Sequence, residues 1–261
     1  MRALAALLIV LAAASCGTRG GFFRQYEYEE EMYLSLDGPA TVYVNTSIQA
    51  LNVLRGTAFD PRPTARVDRE AIRRYFTSPS TRVTRVSTSR RNRRQFVHVR
   101  LETDDVRQLA TAAPFAWSTY RLDRRGDGVV YKQAVLAPAR SSDPAAPSTW
   151  EGDELTAFRI HLPSVVEFHN AGANNLRRGN IVVWEQPLAE RLRGVPLDLE
   201  VRMQPQSILY STLILFAAMF GAVAVLFGGV IWWLIRKGRS AAPSASSVSS
   251  ASSARSPASS D

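Results

Sequence analysis

Lysine is nearly missing from this 261-residue chain. Lys132 and Lys237 are the only two, so arginine supplies almost all of the 32 basic side chains. The bias reads as the codon usage of a high-GC bacterial genome rather than as a functional choice. Cysteine occurs once, at Cys16. No internal disulfide framework is possible, and the core must stand on packing. Histidine occurs three times, at His98, His161 and His169. The sequence holds no Gly-x-Ser-x-Gly, no His-Glu-x-x-His and no phosphate-binding glycine loop. No catalytic residue, metal or cofactor is therefore expected. His161, Glu167 and His169 share parity and would align as ligands on an unbroken strand, but Pro163 interrupts it and a fourth ligand is lacking.

The cysteine explains the start of the chain. Arg2 and the twelve apolar residues Ala3 to Ala14 form a secretory signal. A run of that length is too short to span a bilayer, which takes roughly 20 apolar residues. Ala13, Ala14 and Ser15 directly before Cys16 make a lipobox, although Ala13 stands where leucine is usual. The reading is a lipoprotein signal over 1–15 with Cys16 as the lipidated residue. The alternative is an ordinary signal peptide with an incidental cysteine.

Near the other end, residues 208–235 carry no charge. As a helix they would run about 42 Å, more than the ~30 Å of a hydrocarbon core. Tyr210 and the Trp232-Trp233 pair fall where aromatic rings favour the interface. Arg236, Lys237 and Arg239 follow and set the C-terminus in the cytoplasm. A transmembrane helix over 207–235 is expected, with a Ser/Ala/Pro-rich tail, 236–261, expected to be disordered. Ala217, Gly221, Ala224 and Gly228 form a stripe of small residues on this helix, a surface for homo- or hetero-oligomer packing. The expected place is the cytoplasmic (inner) membrane, with the body exported. Residues 17–206 carry 27 basic and 22 acidic side chains, net +5. That suits attraction to an anionic surface. Together with the topology it excludes nucleic acid as a partner.

The body reads as α+β. Tyr26, Tyr28, Met32, Leu34 and Leu36 alternate with Glu27, Glu29, Glu31, Ser35 and Asp37, which predicts a half-buried strand; Glu30 is the one charge on the apolar side. Asp37-Gly38-Pro39 turns the chain, and a partner strand runs from Ala40 through Ile48. Asp68 caps a helix over Arg69–Phe76. A hairpin follows, with strands Arg82–Ser89 and Gln95–Leu101, and a second short helix starts after Thr103. A third hairpin turns at Gly126-Asp127-Gly128. The fold expected for 16–136 is two short helices packed on one antiparallel or mixed sheet. Residues 137–152 form a linker or long loop. Three further strands lie in 153–206, around Phe158, Ile181–Trp184 and Leu197–Met203, with a helical turn at Pro187–Arg193. The pattern leaves open whether this block is a second domain or completes the first sheet.

Within it, Pro163, Val166, Asn170, Gly179, Asn180, Val182 and Trp184 resemble a pattern of LppM-like bacterial lipoproteins. Ser164 departs from it, where glycine is expected. The resemblance extends to the lipobox, the early "DG" hairpin and the C-terminal membrane helix. It implies an α+β envelope domain that contacts lipid or glycolipid, and it implies no enzyme activity.

The sharpest chemical feature is Arg90, Arg91, Arg93 and Arg94 around Asn92. Four guanidiniums on one hairpin tip would hold phosphate groups bidentately. The competing reading is a solvated turn whose charge guards a sheet edge. Glutamine at 91, 93 and 94 should leave the fold intact, since a hairpin tip buries little. Two functions are then in view: a tethered module that binds membrane lipid or envelope glycolipid, or a subunit that docks protein partners. An apolar cavity between helices and sheet would favour the first.

Overall fold

A computed structural model describes residues 24–138, 150–172 and 179–240. They fall into two compact units that divide after Tyr210. The first is the α+β body, and the second belongs to the apolar helix.

The tyrosine–glutamate alternation forms β1 (Tyr26–Leu34). It pairs antiparallel with β2 (Ala40–Ser47), Tyr28 opposite Thr46 and Leu34 opposite Ala40. Gly38, at φ 116°, makes the turn; a Cβ there would lie 3.1 Å from Asp105 Oδ1. The partner strand does not continue through Ile48 as the alternation predicts. Ser47 Oγ accepts from the Ala50 N–H and starts a helix, α1 (Ile48–Arg55), which Gly56 ends at φ 65°. Ile48, Leu51 and Leu54 recur at helical spacing and are fully buried. Asp68 caps α2 (Arg69–Phe76) by accepting from Glu70 and Ala71, as expected. β3 (Arg82–Arg91) and β4 (Arg94–Thr103) form the next hairpin. After Thr103 come two short 3-10 helices, Val106–Thr111 capped by Asp105 and Ala113–Phe115. β5 (Ser118–Arg125) and β6 (Gly128–Val135) complete this half.

The later strands answer the question of a second domain. β7 (Leu155–His161) pairs parallel with β1, and β9 (Ile181–Pro187) pairs antiparallel with β7. They extend a six-stranded sheet of order β3-β4-β2-β1-β7-β9. β8 (Ser164–His169) and β10 (Leu197–Ser207) join β5 and β6 in an antiparallel four-stranded sheet, β5-β6-β10-β8. A short helix, α3 (Leu188–Leu192), links β9 toward β10. The body thus has two sheets where the sequence reading has one. Pro163 is the divider: the strand it interrupts resumes in the other sheet. Of the expected linker 137–152, residues 139–149 lie outside the described residues. The signal segment, Cys16 and the tail after Ser240 lie outside them as well.

The inner face of the larger sheet carries Tyr28, Met32, Val42, Val44, Val99, Leu101, Phe158 and Ile160. The smaller sheet contributes Leu122, Tyr131, Leu199, Val201 and Met203. Between helices and sheet, Ile48, Leu51, Leu54, Ile72, Phe76 and Phe115 are each at most 1% exposed. The apolar cavity sought there is filled by side chains.

Glu30 sits in this interior, 2% exposed. Its carboxylate accepts from Tyr28 (3.1 Å), Tyr120 (3.2 Å) and Gln133 (3.2 Å), and so joins β1 to β5 and β6. Arg55, from the end of α1, donates to the Tyr28 hydroxyl at 2.6 Å and lies 3.0 Å over the Trp117 ring. Burial raises the pKa of Glu30, and Arg55 and the three donors pull it partly back. A carboxyl raised in the folded state adds stability below the unfolded pKa and loses it as pH rises through the folded value. Glu30→Gln keeps the shape without the titration. In urea denaturation its stability relative to wild type should therefore improve as pH rises above the ordinary glutamate range. A difference that stays constant with pH would show that Glu30 titrates normally. Glu30→Ala should cost about 2–4 kcal/mol, because it leaves buried donors without a partner.

Candidate anion-binding groove beside the β3–β4 hairpin

The β3–β4 hairpin closes in two residues. Asn92 and Arg93 both take left-handed backbone, φ 51° and 59°, as a type I′ turn requires. The strands run further than the sequence suggests, to Arg91 opposite Arg94. Because the side-chain period is two, the four arginines do not share one surface. Arg90 is exposed, opposite Gln95. Arg91 is exposed on the other face, its guanidinium 4.5 Å over the Phe96 ring, and it donates to the Tyr26 carbonyl at 2.7 Å. Arg93 is exposed in the turn.

Arg94 corrects the expectation. It is 6% exposed and ion-paired with Glu27 at 3.4 Å and Glu154 at 3.2 Å. Trp150 covers the pair and donates to Glu27 at 3.3 Å. Burial works to raise the pKa of Glu154. The backbone N–H groups of Glu151 (2.8 Å) and Gly152 (2.9 Å), with Arg94, outweigh it and hold the carboxyl below its usual range. Arg94 is thus a strut between β4, β1 and the start of β7, and it is unavailable to a ligand.

A groove of about 780 Å³ lies along the edge of β3. Residues 65–70 form one wall, and Thr88, Ser89, Arg90 and Gln95 form the other. Arg66, Arg69 and Arg90 bring three exposed guanidiniums to it, against Asp68 and Glu70. Asp68 is occupied as the cap of α2. Gln95 sets the groove's width by donating to the carbonyls of Arg62 and Ala65, both at 2.7 Å. Arg66 and Arg69 escaped the sequence reading. The Asp68 cap locates them at a helix start, but only the long-range tether through Gln95 brings that start to the hairpin. Such a set of guanidiniums takes phosphate or carboxylate oxygens.

The chain arrives in the body at this same end. Asn92 donates to Gln25 at 3.0 Å, beside the Arg91–Tyr26 contact. It leaves from the opposite end of the larger sheet, where the Ile208 N–H donates to the Pro163 carbonyl at 3.0 Å.

His161 and His169 do not converge. His161 stacks on Tyr33 at 3.9 Å and contacts Glu31 at 2.6 Å, whereas His169 ends β8 in the other sheet. Among the described residues no acid, histidine or cysteine cluster fits a metal. The residues of the 160–186 pattern prove to be braces. Asn170 accepts from Trp184 Nε1 (2.9 Å) and the Glu200 N–H (2.8 Å), joining the two sheets. Asn180 donates to the Leu162 carbonyl, and Val182 and Trp184 are buried. In the C-terminal helix, α4 (Ile208–Ser240), Ala217, Gly221, Ala224 and Gly228 are exposed. A Cβ added at Gly221 or Gly228 would meet nothing within 4 Å. The helix is long and apolar enough to cross a membrane.

No family model and no curated protein matches the chain. A solved structure is similar. It is the NMR structure of the folded domain of the Mycobacterium tuberculosis LppM protein, at 14% identity and a TM-score of 0.37. The match covers 72% of this chain and 95% of that one.

The four arginines should separate on substitution. Arg94→Gln leaves two buried carboxylates without their cation and should cost about 3–5 kcal/mol. Arg90→Gln and Arg93→Gln should each stay within about 0.5 kcal/mol of wild type. Urea midpoints of the three variants check this; equal effects would remove Arg94 from its structural role.

Proposed function

We propose that this chain is a membrane-tethered bacterial lipoprotein whose exported body binds anionic lipid or glycolipid headgroups without turning them over. Cys16 carries the lipid, α4 spans the cytoplasmic membrane, and the tail is cytoplasmic. The observation that supports this most is the position of the arginines. Arg66, Arg69 and Arg90 line a groove, with Arg93 at the adjoining tip, at the end of the body where residue 25 enters. From Cys16 to Gln25 an extended chain reaches about 30 Å at most. A lipid on Cys16 would therefore hold this end of the body within about that distance of a headgroup layer. Each arginine near such a surface contributes about 1 kcal/mol, and the attraction fades within a Debye length. The interior between helices and sheet is filled, so binding is by headgroup rather than by enclosing an acyl chain.

Two experiments test the reading. Metabolic palmitate should label the wild-type chain and not Cys16→Ser; equal labelling of both would refute lipidation there. In flotation, the body ending at Tyr210 should rise with phosphatidylglycerol vesicles at low salt and stay down at about 0.5 M salt. Arg90→Gln with Arg93→Gln should weaken the association about 30-fold, the equivalent of two such charges. A body that ignores anionic and neutral vesicles alike at low salt would sink the headgroup reading in favour of protein docking.

A further inference from the structure

A hydrogen-bonded row of side chains crosses the outer face of the six-stranded sheet, one from each of five neighbouring strands. Ser89 Oγ on β3 lies 2.8 Å from His98 Nε2 on β4. His98 Nδ1 lies 2.9 Å from Asn45 Oδ1 on β2. Asn45 Nδ2 donates to Glu29 on β1 at 3.2 Å, and Glu29 pairs with Arg159 on β7 at 3.0 Å. The register makes the row possible, since Asn45 stands directly opposite both His98 and Glu29.

The carboxylate end fixes every proton along it. Glu29, ion-paired with Arg159, only accepts, so Asn45 turns its amide NH₂ to Glu29 and its carbonyl to His98. A carbonyl only accepts, so His98 carries its proton on Nδ1. Nε2 keeps its lone pair, and the Ser89 hydroxyl donates to it. This is the arrangement in which an imidazole takes a serine proton, with a third group orienting the ring. Burial, and after it the charge of Arg91, lower the pKa of His98, which keeps the ring neutral and its Nε2 lone pair free. Ser89 is exposed, and the register that sets it opposite Phe96 turns its hydroxyl to the outer face, away from the arginine-lined groove on the Arg90 side.

We propose that Ser89 is a nucleophile, with His98 as its general base and Asn45 as a positioning residue, acting on carboxylic esters that reach the outer face of the larger sheet and not on the headgroups held in the groove. The proposal goes beyond the headgroup reading above and does not rest on the groove, which lies on the other face of β3. Ser89 Oγ bonds to the ester carbonyl carbon while its proton passes to His98 Nε2. The bond to the alkoxy oxygen breaks, and that oxygen leaves as the alcohol with the same proton. Water, deprotonated by His98, then releases the acid and restores the serine. The sum is ester plus water giving acid plus alcohol.

The test uses the full chain in detergent with diisopropyl fluorophosphate, an uncharged probe. Ser89 Oγ would bond to phosphorus, fluoride would leave, and the proton would pass to His98. Peptide mass spectrometry should place one adduct on Ser89, absent in Ser89→Ala. His98→Gln should slow labelling about 100-fold, at the low end of what a general base supplies. Asn45→Ala should slow it, and Asn45→Asp, which can still accept from Nδ1, should restore it. Thermal melting must show the variants folded, so that slower labelling reports chemistry. No adduct on wild type, adducts spread over several serines, or unchanged labelling of His98→Gln overturns the proposal and leaves a structural cross-strand row. Because the probe needs no lipid and flotation needs no Ser89, either reading can fail without the other.

Discussion

A carboxylate in the middle of the core sets the terms for the rest of the body. Through Glu30, β1 reaches the smaller sheet with a charged group hydrogen-bonded on both sides: Tyr120 and Gln133 come from one sheet, Tyr28 from the other. Burying a carboxyl is costly unless its oxygens are satisfied. Satisfying them requires β5 and β6 at one register against β1 and α1 at one position, because Arg55 must also reach Tyr28. A slip of one residue in β1 would turn Tyr28 and Met32 outward together with Glu30, and take the Tyr28 hydroxyl away from Arg55. The interaction therefore specifies the packing of two sheets and a helix at once, which interchangeable apolar contacts would do less sharply.

That constraint was half visible in the sequence. The alternation of residues 26–36 is local, so the strand and its buried face could be read directly, and Glu30 stood out as the exception. Its partners could not be read, because Tyr120 and Gln133 lie 90 and 103 residues away. The same division runs through the fold. The cap at Asp68 and the turn at Gly38 are local signals and were legible. α1 was missed because period-two alternation overran Ser47, whose capping role shows only once Ile48, Leu51 and Leu54 are read at helical spacing. Pro163 was correctly a break, but a break does not say that the chain changes sheets. The parallel pairing of β1 with β7 joins segments more than 120 residues apart and leaves no local trace.

The arginines show how far composition can mislead about a site. Read along the chain, Arg90, Arg91, Arg93 and Arg94 are one cluster. Folded, the pleat sends Arg90 to the groove, Arg91 to the outer face and Arg94 into a buried pair with Glu27 and Glu154. Neighbours in sequence were split, and Arg66 and Arg69, over twenty residues away, were brought in. What decides each fate is the partner. Arg94 meets two carboxylates already shielded by Trp150, where a pair gains from low dielectric. Arg90 faces solvent, where its charge is screened and available.

A filled interior also limits what the body can do. With the space between helices and sheet occupied by Ile72, Phe76, Phe115 and their neighbours, recognition falls to surface charge and to the outer face of the larger sheet. The residues of the 160–186 pattern lie elsewhere and brace one sheet against the other through Asn170 and Trp184. They account for shape, not for a site, so a pattern shared at those positions would travel with the fold whatever the ligand. The residues free to differ in function are those with accessible side chains on a fixed backbone: Arg66, Arg69 and Arg90 along the groove, and on the outer face Ser89 with the half-buried His98. Their geometry is only as rigid as the register that holds β3 to β4 and β2 to β1, and that register leads back to the core around Glu30.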